Sequence, residues 1–202
     1  LLRSQLDQLL EYRIANEGAV NDLAALRTQL DLLGLGGHET AVAEVTAGSV
    51  SNFDPYILEI NKGTQSGIRE GMPVISTGGL IGRIENPGLR DARVRLITDP
   101  AVNIGVLAIG TKEIGILSGN GVGQPLRVTD GIPISAPVEV GSILVTSGLD
   151  RSPYPEGFAV GSVVEVIPNE VNLEKELLVE PTGQMQNLDF VTVVLYEPPG
   201  RG

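Results

Sequence analysis

The first 33 residues carry a seven-residue repeat of apolar positions that is weak at its start and strong toward its end. The a positions of this repeat are Leu2, Leu9, Asn16, Leu23 and Leu30, and the d positions are Gln5, Tyr12, Ala19, Leu26 and Leu33. A narrow stripe of this kind predicts a coiled-coil helix over 1–33 with a partner helix along its seam. Because the rest of the chain predicts strands, we expect the partner helix to come from a second copy of the chain.

Polar residues in the same register favour a parallel homodimer. Asn16 falls at an a position, where a buried amide is best satisfied by the same amide on an in-register parallel partner. Asp22 at g and Arg27 at the next e position have the spacing that pairs opposite charges between parallel chains. Gly18 weakens this helix by about 1 kcal/mol relative to alanine. The alternative is a helix that packs its leucines on its own β domain as an ordinary core stripe.

Short Val- and Ile-rich runs separated by turn residues follow the helix and predict a mainly β fold. Gly34, Gly36 and Gly37 end the helix and form a hinge. The predicted strand-like segments are 41–50, 56–60, 72–76, 80–85, 92–97, 103–109, 113–117, 125–128, 142–146, 158–167, 175–179 and 190–196. Asn120-Gly121 predicts a hairpin turn, because a strand follows it where a phosphate-binding glycine loop would need a helix.

An internal similarity predicts that a strand-turn-strand unit is duplicated. Residues 71–78 (GMPVISTG) align with 141–148 (GSILVTSG), and 80–84 (LIGRI) align with 159–163 (AVGSV). One copy in each domain implies two small β barrels or sandwiches behind the N-terminal coiled-coil helix. The predicted organisation is a dimerisation helix over 1–33, a hinge over 34–39, β domains over 40–135 and 136–197, and a tail over 198–202. The sequence leaves open the exact β-domain bounds and an exchange of strands between the two domains.

Composition and charge narrow the classes of function. The formal net charge of -11, with 14 scattered Lys and Arg residues, opposes binding to phosphate backbones and argues against a nucleic-acid partner. The absence of cysteine removes disulfides, thiolate catalysis and Cys-based zinc sites. No apolar run approaches the roughly 18 residues of a membrane span. Since the chain starts at Leu1, inside the helical pattern and without methionine, we expect an upstream segment to have been removed.

The chain contains little that predicts catalysis. Its single histidine, His38, lies in the hinge, where we expect a solvated side chain. Ser147 lacks the Gly-x-Ser-x-Gly elbow of serine hydrolases, and only a lysine at 62, 112 or 175 is available as its base. The acidic residues Glu170, Glu174, Glu176 and Glu180 match no calcium loop and predict a solvated face. We therefore predict no catalytic residue, no metal ligand and no cofactor.

Five segments resemble a known family in their sequence and in their order behind the predicted coiled coil. They are 63–75 (GTQSGIREGMPVI), 79–84 (GLIGRI), 94–99 (VRLITD), 140–149 (VGSILVTSGL) and 155–163 (PEGFAVGSV). This chain resembles the MreC family, the rod-shape-determining proteins of bacterial cell-wall elongation. Residues 151–154 depart from the pattern, because that family usually has a shorter glycine-rich turn there.

The resemblance implies a non-enzymatic scaffold that dimerises on the outer face of the bacterial cell membrane. Proteins of this family are expected to have one membrane-spanning anchor, a coiled coil and two β-barrel-like domains. The implied partners are MreD, a class B penicillin-binding transpeptidase and, indirectly, MreB. Some members also assemble into filaments. The resemblance does not identify the partner-docking residues.

Two other functions remain open on the sequence. A periplasmic adaptor of an efflux or secretion system also combines coiled coil with β barrels, but it generally uses a hairpin of two long helices. A serine hydrolase centred on Ser147 is a third hypothesis.

Overall fold

The computed structural model describes residues 37–47, 54–111, 113–149 and 152–197. The chain divides into two compact units, Leu1–Gly36 and Gly37–Gly202. The predicted coiled coil and its dimerisation residues lie outside the described residues, and so does the predicted tail over 198–202. No helix within the described part of the chain is long and apolar enough to cross a membrane.

The described residues form a mainly β structure, as predicted. The strands are β1 (Thr40–Ala47), β2 (Ile57–Ile60), β3 (Pro73–Ser76), β4 (Gly79–Pro87), β5 (Ala92–Leu96), β6 (Asn103–Ala108), β7 (Ile114–Ser118), β8 (Leu126–Asp130), β9 (Ile143–Thr146), β10 (Ala159–Asn169), β11 (Glu174–Pro181) and β12 (Phe190–Val194). One 3-10 turn, Thr64–Ser66, is the only helical segment that the described residues contain.

The strands close into two antiparallel barrels of six strands each. The first barrel has the order β1-β12-β3-β4-β5-β2, and the second has the order β10-β11-β8-β7-β6-β9. Inward-facing aliphatic side chains fill each barrel, such as Ile60 and Val94 in the first and Val106 and Leu177 in the second, all fully buried. Full closure pairs the strand edges that an open sheet would expose.

The observed division of strands differs from the predicted boundary at residue 135. Strands β6, β7 and β8 lie before that boundary but belong to the second barrel, and β12 lies after it but belongs to the first. β12 pairs with β1 through Thr40 and Val194, and with β3 through Val74 and Val193. The last strand thus closes a barrel that the first strand opens, and this long-range pairing leaves no local signal in the sequence.

The predicted duplication appears as the hairpins β3–β4 and β9–β10, which hold equivalent places in the two barrels. Gly71 N–H donates to the Ile84 carbonyl at 2.7 Å, and Gly141 N–H donates to the Val163 carbonyl at the same distance. The glycines within β4 and β10 are also equivalent. A Cβ at Gly82 would lie 2.3 Å from a carbonyl oxygen of β5, and one at Gly161 would lie 2.5 Å from a carbonyl oxygen of β11.

The two barrels meet where the β3–β4 turn packs against the ends of β10 and β11. A Cβ at Gly78 would lie 2.2 Å from the Thr182 carbonyl oxygen, and one at Gly79 would lie 2.4 Å from the Ala159 carbonyl oxygen. Gln184 N–H donates to the Thr77 carbonyl at 3.1 Å across the same junction. Only glycine allows backbones to approach this closely, so the turn fixes the contact between the barrels.

A cluster of charges holds the segment that leads from β5 into the second barrel. Arg95 donates to both carboxylate oxygens of Glu85, at 2.7 and 2.9 Å, and to Asp99 at 2.6 Å and Asp54 at 3.2 Å. The hydrogen bond to Glu85 is the largest cause of the raised pKa of Arg95, which burial partly opposes. Beyond Asp99, Gly121 N–H donates to the Thr98 carbonyl at 2.9 Å and also anchors this segment. The predicted hairpin between β7 and β8 is present, but its turn is closed by Gln124 N–H and the Gly121 carbonyl, so it begins one residue later than the predicted Asn120-Gly121.

Candidate interaction surface

The residues considered for catalysis do not form a reactive group in the described part of the chain. Ser147 Oγ is buried and forms no hydrogen bond with a described residue. Lys175 Nζ donates to the carbonyls of Ala136 at 2.6 Å and Val138 at 3.3 Å, and Lys112 lies outside the described residues. Three or more metal-binding side chains do not cluster anywhere in the described ranges.

Two smaller predictions about polar side chains need correction. His38 is half-buried, and its ring contacts Tyr196 edge to face with centroids 5.3 Å apart, so it is not simply solvated. The four acidic residues of the β10–β11 hairpin do not form one solvated face. Glu170 and Glu180 are exposed, but Glu174 accepts a hydrogen bond from Gly131 N–H and Glu176 pairs with Arg127.

The outer side of the second barrel carries an apolar surface across β7, β6 and β9. Its members, here called the apolar wall, are Leu107, Ile109, Ile114, Ile116, Ile143 and Leu149. The pairing register sets Leu107 opposite Ile114 on β7 and, on the other side, opposite Val145 on β9, which is only 9% exposed. Ile109 N–H donates to the Ile143 carbonyl at 3.0 Å, which brings these two residues together at the end of the wall.

The alternation of side chains along these strands leaves the wall outside the barrel. In β7, Gly115 and Leu117 are buried, whereas Ile114 and Ile116 are 37% and 38% exposed. Ile109, Ile143 and Leu149 keep 59%, 38% and 45% of their surface exposed. Exposed aliphatic residues are common singly, but a contiguous set on three strands is typical of an interaction site.

Gly105 shapes the centre of the wall. A Cβ at this position would lie 2.6 Å from Ser147 Oγ and 3.2 Å from Leu149 Cδ1. Because Gly105 has no side chain, Leu149 can pack against the outer side of β6 at this point. The residue that pairs with Gly105 on β7 is Ile116, another member of the wall. The nearest charged groups along the strands are acidic, since Asp130 pairs with Ile116 and Glu113 precedes Ile114. The wall is therefore apolar with an acidic margin.

The loop from β9 to β10 connects the wall with the junction between the barrels. Leu149 lies on the wall, and Tyr154 is 2% exposed with a hydroxyl that forms no hydrogen bond with a described residue. Burial raises the pKa of Tyr154 to about 12, while the charge of Arg83 on β4 of the first barrel lowers it. Thr146 Oγ1 secures the loop by donating to the Pro155 carbonyl and accepting from Phe158 N–H.

Tyr154→Phe is expected to leave the free energy of unfolding at pH 7 unchanged or to raise it by about 1 kcal/mol, since an unsatisfied buried hydroxyl is removed. The pKa of Tyr154 is raised on folding from 10 to about 12. The neutral hydroxyl therefore contributes its full stabilisation below about pH 10, and this contribution to the free energy of unfolding is lost as pH rises from 10 through 12. Between pH 7 and pH 11, urea unfolding should show that the free energy of unfolding falls by about 1 kcal/mol more for the parent than for the variant. Tyr196→Phe, at a half-buried site, is the control, and equal losses in parent and Tyr154→Phe would refute the expectation.

None of the residues predicted to mediate dimerisation lies in the described part of the chain, and the wall was not predicted. Apart from Leu149, the wall residues lie within the predicted strands 103–109, 113–117 and 142–146. One signal could have revealed them. Runs such as Ile114-Gly115-Ile116-Leu117 and Ile143-Leu144-Val145 are apolar at positions that point both into and out of a barrel.

The chain is similar to proteins of one family along most of its length. The family model for "Rod shape-determining protein MreC, barrel core" matches residues 45–195. The cell shape-determining protein MreC of Listeria monocytogenes is 26% identical over 96% of this chain and 66% of its own length. That of Escherichia coli is 31% identical over 70% of this chain and 38% of its own length. The chain thus spans less than two thirds of either relative.

Solved structures have the same fold. The crystal structure of MreC from Pseudomonas aeruginosa covers 77% of this chain and 99% of its own, with a TM-score of 0.70 and 28% identity. A complex between penicillin-binding protein PBP2 and MreC from Helicobacter pylori shares the fold at a TM-score of 0.58 and 20% identity, over 77% of this chain and 99% of that one. The family model and the relatives, together with the pair of barrels, show that the chain belongs to the MreC family of rod shape-determining proteins.

Proposed function

We propose that this chain is a non-enzymatic scaffold of the bacterial cell-wall elongation machinery. It would maintain cell shape by dimerising and by docking cell-wall synthesis proteins at the outer face of the cytoplasmic membrane. Membership of a family of shape-determining proteins supports this function. So does the chemistry of the described residues, which offer an exposed apolar surface for contact with other proteins.

The observation that carries the proposal is the apolar wall. Both barrels are closed, so a partner cannot add a strand to an open barrel edge and must bind through outward-facing side chains. Among the outer faces, the β7-β6-β9 face combines aliphatic side chains from three adjacent strands with the shallow centre at Gly105. Apolar area of this kind supplies the buried centre of a protein interface.

The partner that we propose for the wall is a class B penicillin-binding transpeptidase. The support is the Helicobacter pylori complex, in which a chain of this fold is bound to PBP2. Contacts with MreD and, indirectly, with the MreB filament are proposed from the family resemblance alone. Filament formation through the β domains is likewise proposed.

The predicted coiled coil over 1–33 would set the geometry of the dimer. With Asn16 at an a position and Asp22 and Arg27 paired between chains, the two helices would run parallel from one membrane. An anchor upstream of the helix would place both barrels on the extracytoplasmic side. Each dimer would then present two walls in a fixed relation, which is what a scaffold requires of its docking sites.

Photo-crosslinking in growing cells tests the docking proposal. A benzophenone side chain at Ile109, which is 59% exposed on the wall, is expected to capture a class B transpeptidase. The same probe at Phe190, which is 61% exposed on the first barrel, is the matched control and should not capture it. Capture of a transporter subunit from Ile109 would favour an efflux or secretion adaptor instead. That alternative is not favoured now, because its pair of long helices is not predicted in this sequence.

A further inference from the structure

The hairpin of β10 and β11 extends beyond the second barrel. β9 pairs with β10 only as far as Ser162, and the segment that follows β8 pairs with β11 as far as Leu173, where Ile134 N–H donates to the Leu173 carbonyl. The turn between β10 and β11 therefore lies past the last of these pairings. The opposite end of the same hairpin, at Ala159 and Thr182, contacts the first barrel. Residues 169–173, here called the distal tip, therefore lie at the end of the second barrel that faces away from the first.

The distal tip exposes two apolar side chains that contribute nothing to a core. Val171 is 91% exposed and Leu173 is 66% exposed. Ile167, close to the tip on β10, adds a side chain that is 38% exposed. A turn that only connected two strands would be expected to carry polar residues or glycine at these positions.

The backbone of the tip is held in one conformation. Asn169 Oδ1 accepts hydrogen bonds from Val171 N–H at 3.1 Å and from Asn172 N–H at 3.2 Å. Leu173 has a φ of 55°, in the left-handed region, and its carbonyl accepts from Ile134 N–H at 2.8 Å. Asparagine or glycine would adopt this backbone conformation with less strain, so an exposed leucine at this position does not contribute to the stability of the fold. A rigid turn also loses little entropy when a partner binds it.

The charges around the tip are negative. Glu165 and Glu170 are exposed, and neither carboxylate forms an ion pair or hydrogen bond with another described residue. The only cationic side chain on the hairpin, Lys175, is turned away onto the carbonyls of Ala136 and Val138. An anionic lipid surface would repel these carboxylates, whereas a protein pocket edged by Lys or Arg would attract them.

We propose that the distal tip is a docking element that inserts Val171 and Leu173 into an apolar pocket edged by basic side chains on the penicillin-binding partner. The partner's identity rests on the proposed function, while the chemistry of its pocket follows from the tip. The tip and the apolar wall are both on the second barrel, and the Ile109 end of the wall is at the same end of the barrel as the tip. One partner can therefore contact both.

The test is a calorimetric titration of the chain with the purified extracytoplasmic region of the class B transpeptidase from the same bacterium. Val171→Ser with Leu173→Asn removes the apolar side chains, and asparagine tolerates the positive φ, so the variant should fold at least as stably as the parent. We expect its affinity to fall about 10- to 100-fold. Leu89→Ser with Val122→Ser, at exposed apolar sites outside the tip, is the matched control and should bind like the parent.

The outcomes separate this proposal from the proposed function. Parent-like binding by the tip variant would overturn the docking role of the tip and leave the scaffold function standing. Failure of the parent itself to bind would overturn the proposed partner and, with it, the assignment of that partner to the tip. Binding of the parent, but not of the tip variant, to phosphatidylglycerol vesicles would also overturn the proposal, because the tip would then contact a membrane.

Discussion

Aspartate in place of both Ile116 and Ile143 is expected to lower the affinity of the chain for the transpeptidase by at least about 100-fold. Both side chains point outward on the wall, so the substitutions should leave the barrel core intact. In the complex, two carboxylates would be buried against apolar side chains without partners, beside the existing Asp130. A 100-fold loss corresponds to about 2.7 kcal/mol, which is modest for two such burials.

The matched control for this prediction is Val42→Asp with Phe190→Asp. These residues are 54% and 61% exposed on the first barrel, so they add the same charge to exposed apolar sites away from the wall. Thermal unfolding should find both double variants folded, and calorimetry should find only the wall variant impaired. Equal affinities for the wall variant and the parent would show that the wall does not bind the transpeptidase.

Leu23→Asp with Leu30→Asp is expected to convert the proposed dimer into a monomer. Both leucines occupy a positions of the predicted coiled coil, where each aspartate would face its copy across the seam. Burying like charges without partners costs several kcal/mol, which exceeds what a short and imperfect coil can supply. Equilibrium sedimentation across the micromolar range should therefore give the mass of one chain for the variant and of two for the parent.

Ala25→Asp with Thr28→Asp provides the control, because these residues occupy c and f positions on the outside of the predicted coil. This variant should remain dimeric despite carrying the same added charge. A parent that sediments as a monomer would contradict the dimer proposal. In that case the leucine stripe would be better interpreted as packing on the chain's own β domain.

Much of the fold was predictable because its signals are local. Short Val- and Ile-rich runs between turn residues indicated the strands, and the internal sequence similarity indicated the paired hairpins β3–β4 and β9–β10. The domain boundary was not predictable in the same way. Whether β12 returns to β1 and β3 depends on pairing across most of the chain, and a strand's own residues do not identify its neighbours.

The candidate surface was harder to predict for a related reason. A run such as Ile143-Leu144-Val145 is typical of a strand buried on both faces. Only the closed barrel reveals that Ile143 points outward and Leu144 inward. The distal tip was harder still to predict, because no feature of the sequence indicates that Leu173 has a positive φ.

Calorimetric titration of the unaltered chain with the extracytoplasmic region of the class B transpeptidase tests whether the chain docks this enzyme. If the chain is a docking scaffold, we expect saturable binding that Ile116→Asp with Ile143→Asp largely abolishes and that Val42→Asp with Phe190→Asp leaves unchanged. Absence of binding by the unaltered, folded chain would contradict this role.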